Sequence, residues 1–245
     1  MKQDRWKIPT HTGNQETVAG LFSKISERLQ LITQKYTHVK FATSLAAEDM
    51  VLTDAIVRGH FPIQIFTLNT GRLHQASLDM LDTVQKHYGV KIQVVEPNVD
   101  EVDRYVQEHG MNAFYDSEDA KKMCCDIRKV KPLNSALVGA NAWLTGQRRA
   151  QSVTRSELHF EELDQARHIA KFNPIFDFSD DDVWSFLQLR NVPMHPLHQQ
   201  GYPSIGCEPC TRAIRADEEI RAGRWWWLQQ TSKECGLHVT KETEV

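Results

Sequence analysis

A chain of 245 residues, 40% hydrophobic and 25% charged, has the material for one large domain or two small ones with a proper core. Its formal net charge of −3 supplies no global basic field for nucleic acid, and no run of about 18 apolar residues is available to cross a membrane. The opening MKQDRWKIPTHTG lacks the apolar stretch of a secretory signal, and an odd cysteine count then points to the reducing cytoplasm, where thiols and metal clusters persist.

The spacing of Val18, Leu21, Phe22, Ile25, Leu29 and Ile32 predicts an amphipathic helix over about 16–34. A strand is predicted over 38–43, a helix over 48–58, a strand over 63–68 (IQIFTL) and a helix over 73–88. Another strand is predicted over 90–95, with helical sequence on to 108, and NAWLT at 141–145 predicts a later strand that enters a Gly-bearing loop. Strands alternating with helices of this length imply βαβ units, an α/β fold and a parallel twisted sheet flanked by helices. Ligands on such sheets gather at the carboxyl ends of the strands. After about Pro174 the pattern changes. Ser179 is a helix N-cap with Asp182 at the capping-box position, followed by a Pro-, His- and Gly-rich loop and a basic segment, TRAIRADEEIRAGRWWW. This region reads as a cap over the ligand edge rather than a second domain.

Three strand ends carry candidate binding turns. The first, SLAAED at 44–49, leaves backbone N–H groups for an anion, although a plain strand-to-helix turn explains it equally well. It resembles a degraded SGGxDS loop of the ATP-pyrophosphatase type, with Leu45 and Ala46 in place of the glycines and Glu48 and Asp49 in place of the final Asp-Ser. That favours a ligand with less phosphate than a triphosphate. The second runs from Leu68 to Gly71 and Arg72, where glycine permits close approach and the guanidinium reaches an anion or solvent. The third, TGQRRAQS, offers Gly146, Arg148 and Arg149 with Arg155 close behind, and suits an oxyanion or is simply a basic surface loop.

Four of the five cysteines stand in two pairs, Cys124-Cys125 and Cys207-Glu-Pro-Cys210. Four thiolates suit a [4Fe–4S] cluster or a four-cysteine zinc site. Small buried hydrophobes are the plainer reading, but they account poorly for two such pairs in polar, basic surroundings. Arg128, Lys129 and Lys131 follow the first pair, and Arg212, Arg215, Arg221 and Arg224 lie near the second; such cations stabilise an anionic cluster or an anionic substrate. The fifth, Cys235, stands alone in KECGLH as a nucleophile or redox thiol. Trp225, Trp226 and Trp227 read as packing. His195 and His198 read as ordinary loop histidines, and His238 as a possible ligand or acid.

Taken together, SLAAEDM, LNTGRL, CCDIRKVKPL, WLTGQRRAQS, GCEPCTR and the terminal KECGLH resemble the assimilatory sulfonucleotide reductases, which reduce adenylyl sulfate (APS) or its 3′-phosphorylated form (PAPS) to sulfite. The resemblance runs from about Phe41 to His238, and the two cysteine pairs mark the cluster-containing branch, which mostly uses APS. It implies a PP-loop architecture in one domain over 1–245, with a nucleotide-binding core at about 16–200 and the CxxC segment and a mobile catalytic tail at about 201–245. It implies that Cys124, Cys125, Cys207 and Cys210 hold a [4Fe–4S] cluster and that Cys235 is the nucleophile. Ser44, Leu45, Asp49, Leu68, Gly71, Arg72, Lys129, Gly146, Arg148, Arg149, Arg221, Arg224 and His238 would surround the substrate. Thioredoxin or glutaredoxin would be the reductant, and the expected assembly is a homo-oligomer. A PAPS-preferring reductase, a PP-loop iron–sulfur tRNA thiolation enzyme and a non-catalytic zinc module are the competing readings.

Overall fold

The computed structural model describes residues 4–152 and 155–228. Helix α1 (Gln15–Lys35) begins where the Asn14 side chain accepts the Thr17 N–H, and it buries Val18, Ile25, Leu29 and Ile32 along one face. The chain continues through β1 (Val39–Ala42), α2 (Ala47–Arg58), β2 (Ile63–Leu68), α3 (Gln75–Tyr88), β3 (Gln93–Val95) and α4 (Val99–His109). Next come α5 (Glu118–Cys125), a π-helical turn (Asp126–Val130) and α6 (Lys131–Ala136). The rest comprises β4 (Ala142–Leu144), β5 (Glu161–Asp164), β6 (Ile169–Phe172) and α7 (Asp180–Leu189).

The strands form one six-stranded sheet in the order β3-β2-β1-β4-β6-β5. Every neighbouring pair is parallel except β5 with β6, an antiparallel edge hairpin. From central β1 the chain moves to β2 on one side and later to β4 on the other, which opens a crevice at the carboxyl edge. One face of the sheet buries Phe41, Leu144 and Phe172 against α1, α2, α3 and α7. The other buries Phe66 and Trp143 against Leu133 and Leu137, in and just after α6.

The predicted alternation agrees with this sheet, and the differences have physical causes. The strand expected over 90–95 is only Gln93–Val95, because only these residues pair with β2. The β5–β6 hairpin and the helices around the first cysteine pair carry too little periodicity to be read in advance. Helix α7 keeps its capping box, with the Ser179 hydroxyl accepting the Asp182 N–H at 3.1 Å. It does not cap the ligand edge, however. Val183, Trp184, Phe186 and Leu187 are buried, and the helix packs on α1 and α2. Only the later loop and basic segment reach the strand ends.

Candidate active site at the carboxyl edge of the sheet

A cleft of about 240 Å³ lies over the ends of β1, β2 and β4. Thr43, Ser44 and Asp49 line it from the first turn, Leu68 and Thr70 from the second, and Thr145 and Gly146 from the third. Ser204, Gly206, Arg221, Arg224 and Trp225 of the C-terminal segment close the other side, with Lys129 from the π-helical turn.

The first turn keeps a glycine-like shape without glycine. Leu45 has φ +62°, a left-handed conformation that costs an L-residue about 1–2 kcal/mol. Its side chain is buried in the core, which offsets that cost. The turn also supplies its own anion: the Asp49 carboxylate accepts the Ser44 N–H at 2.6 Å and the Ser44 hydroxyl at 2.5 Å. The Gly146 N–H bonds it as well. A Cβ on Gly146 would stand 2.2 Å from Asp49 Oδ1, so this approach of the first and third turns needs glycine. Burial pushes the Asp49 carboxyl up to about 6 even though the Ser44 bonds favour the ionised form.

Arg148 serves the scaffold. Its Nη2 donates to Glu48 Oε1 and Asp180 Oδ1, each at 2.7 Å, and its Nη1 donates to the Phe178 carbonyl at 3.0 Å. It is 3% exposed. Burial opposes its charge, but Glu48 and Asp180 hold its pKa above the ordinary value.

A second, smaller cavity is lined by all four paired cysteines. Cys124 and Cys125 end α5, and Cys207 precedes a 3-10 turn (Glu208–Cys210) that Cys210 ends. Arg72, Lys121, Arg128 and Lys129 contribute cations to the same wall, with Phe114 and Trp225 as apolar packing. Thr70 Oγ1 lies 3.2 Å from Cys207 Sγ. The π-helical turn brings Arg128 inward to donate to the Thr70 carbonyl at 2.9 Å. Gly71 sits above that guanidinium with φ +68°. Burial raises the pKa of Cys124 and pushes that of Cys210 up to about 12. These thiols therefore stay protonated unless a metal takes the proton's place.

Ser44, Asp49, Leu68, Lys129, Gly146, Arg221 and Arg224 thus meet on one cleft. Leu45, Gly71, Arg72, Arg148 and Arg149 do not line it. Leu45 is core, Gly71 backs onto Arg128, and Arg72 faces the cysteines while donating to the Met111 carbonyl at 2.8 Å. Arg149 donates to the Leu158 carbonyl at 2.8 Å and lies over the Phe176 ring. Cys235 and His238 lie outside the described residues. Sequence reasoning did not place Ser77, Gln151 and Ser204 on the cleft; Arg155, noticed beside the third turn, does line it. Lys129 and Trp225 line both cavities, which therefore share a wall.

A mostly parallel sheet whose three central turns meet at its carboxyl edge is an α/β fold of PP-loop architecture. Residues 38–213 match the phosphoadenosine phosphosulfate reductase domain, and the chain belongs to that family. It is 56% identical to an adenosine 5′-phosphosulfate reductase from Burkholderia cepacia, over 96% of this chain and 94% of that one. It is 51% identical to one from Neisseria meningitidis serogroup B, over 95% and 96% of the two chains. Among solved structures, phosphoadenylyl-sulfate reductase from Candida auris superposes with a TM-score of 0.66 at 22% identity, covering 83% of this chain and 100% of that one. The U34-tRNA thiolase NcsA from Methanococcus maripaludis, with its [4Fe-4S] cluster, gives 0.51 at 15% identity over 78% and 71% of the chains, a likeness of fold alone.

Proposed function

We propose that this protein is a cytoplasmic enzyme of sulfate assimilation that reduces adenosine 5′-phosphosulfate to sulfite and AMP. The observation that carries the reading is the shared wall: a cleft with Lys129, Arg221 and Arg224 abuts a cavity lined by four cysteines. The relatives named adenosine 5′-phosphosulfate reductase support APS over PAPS.

Four sulfurs from two separate segments around one cation-lined cavity fit a [4Fe–4S] cluster. Cys124, Cys125, Cys207 and Cys210 would hold the cluster. Its contribution there would be structural and electrostatic, because thiols supply both electrons.

Lys129, Arg221 and Arg224 bind the phosphosulfate and offset charge on the departing phosphate. The Cys235 thiolate attacks the sulfonate sulfur, the sulfur–oxygen bond to phosphate breaks, and AMP leaves with that electron pair. Cys235 then carries an S-sulfonate. A thiolate of reduced thioredoxin or glutaredoxin attacks Cys235 Sγ and expels sulfite, and its second thiol resolves the mixed disulfide. The partner dithiol is oxidised to a disulfide while one sulfate-level sulfur is reduced to sulfite. No second cysteine neighbours Cys235 in sequence, so an external dithiol completes the cycle.

Sulfite release from APS and from PAPS with reduced thioredoxin tests the reading. A higher kcat/KM for APS is expected. Equal constants remove the preference, and no sulfite from either nucleotide removes the function.

A further inference from the structure

Ser77 lies in the first turn of α3, on the wall of the cleft, and is 4% exposed. Its Oγ is 2.9 Å from His195 Nε2. The other ring nitrogen decides which of the two donates. The Leu197 N–H donates to His195 Nδ1 at 3.2 Å, so Nδ1 holds the lone pair, and a neutral imidazole then carries its proton on Nε2. The ring is neutral at ordinary pH: burial, with the nearby His198 and His74, pushes its pKa down to about 4. His195 Nε2–H therefore donates to Ser77 Oγ.

The hydroxyl hydrogen of Ser77 must go elsewhere. Thr33, Thr53 and Thr83 return theirs to the carbonyl one turn back, to Leu29, Asp49 and Asp79 at 2.9, 2.8 and 3.0 Å. Ser77 does not. Among the described residues its side chain bonds only His195. A buried donor without an acceptor is unfavourable until one arrives, and the cleft is where one can arrive.

We propose that Ser77 is a substrate-binding residue and His195 its positioning residue, together presenting one O–H donor to an acceptor atom on the adenylyl half of the nucleotide. This rests on the sulfonucleotide reading of the cleft. The half is assigned from the fold. Leu73 pairs with Cys207 in a β-bridge, and Lys129 and Trp225 form the wall toward the cysteines. Leu73 precedes α3, and Ser77 stands in the first turn of that helix, four residues along the chain from the bridge. The cations take the anionic end, which leaves the adenylyl half for Ser77.

Calorimetric AMP binding, thermal unfolding and APS kinetics on the iron-loaded enzyme test this. Ser77→Ala should weaken AMP binding and raise the KM for APS by the same factor, roughly five- to tenfold, with kcat near wild type and a lowered Tm, because the buried His195 Nε2–H loses its acceptor. His195→Gln, which keeps a side-chain N–H, should stay closer to wild type than His195→Leu. A purely structural role would lower Tm as well but leave the affinity of the folded fraction alone. Unchanged AMP affinity in Ser77→Ala, with sound wild-type binding, overturns the inference. A wild type that binds neither AMP nor APS removes the sulfonucleotide reading itself, and this inference with it.

Discussion

The cleft and the cysteine cavity share Lys129 and Trp225 but are built by different means. The cleft is built on three turns at the ends of parallel strands, the first and third drawn together by Asp49 and Gly146. Its geometry follows from the sheet, so it survives the loss of glycine at Leu45. The cysteine cavity contains no strand residue. Side chains from α5, the π-helical turn and a 3-10 turn meet around Phe114 and Trp225. Its geometry therefore depends on side-chain chemistry and on whatever the thiols bind. Damage to the first region should appear as lost binding or stability, and damage to the second as lost metal.

Cysteine variants make the largest test of that separation. Cys235→Ser should reduce sulfite formation to background while AMP binding and iron content remain, because a hydroxyl is a far weaker nucleophile at neutral pH. Wild type given APS without a reductant should gain one sulfonate mass on the Cys235 peptide. Cys207→Ser should also stop turnover, but with loss of iron and of the brown colour expected for about four irons and four sulfides per chain. Full activity with zinc and no iron would rule out the cluster. Iron loss in Cys235→Ser would erase the distinction between nucleophile and ligand.

Arg148 sharpens the same comparison from the cleft side. It stands beside the binding turns in sequence but is used up by Glu48 and Asp180. Arg148→Ala leaves the partly buried Glu48 without its cation, a change worth at most about 3–5 kcal/mol, the cost of breaking a fully buried pair. Urea unfolding should show that loss, while the folded fraction binds AMP normally. A large fall in AMP affinity at nearly full stability would put Arg148 on the substrate.

What could be read from the sequence follows the same division. The two cysteine pairs were legible because four sulfurs at such spacings have few chemical uses. The three turns were legible because period-2 and period-3.6 patterns locate strand ends. That neither arginine of TGQRRAQS lines the cleft was not legible, since Arg148 is engaged by Asp180, a residue of a distant helix. The left-handed Leu45 was hidden too, because only the packing around its side chain makes that backbone tolerable. His195 looked like a loop histidine, since its partner Ser77 lies 118 residues away.

The smallest expected effect is a difference in acid stability between the two regions. His195 and His198 belong to the loop that leads to Cys207, and burial lowers both pKa values, that of His195 to about 4. Unfolded histidine takes a proton near 6.5, so the stability from the neutral rings is complete above that pH and is lost as pH falls toward 4. Asp49, on the cleft turn, has the opposite sign. Its pKa rises from 3.8 to about 6, so between those values the folded state binds a proton that the unfolded state does not, and acidification favours folding. The shifts of His195 and Asp49 each correspond to roughly 3 kcal/mol. Wild type should begin to lose stability near pH 6.5, with the loss partly offset below pH 6. Asp49→Asn removes the offset, so its unfolding free energy in urea should fall more steeply between pH 6 and 4 than that of wild type. His195→Gln should flatten the curve from pH 6.5 downward. Parallel curves for wild type and Asp49→Asn would mean that Asp49 titrates alike in the folded and unfolded chains, and the cleft turn would then have no part in the acid response.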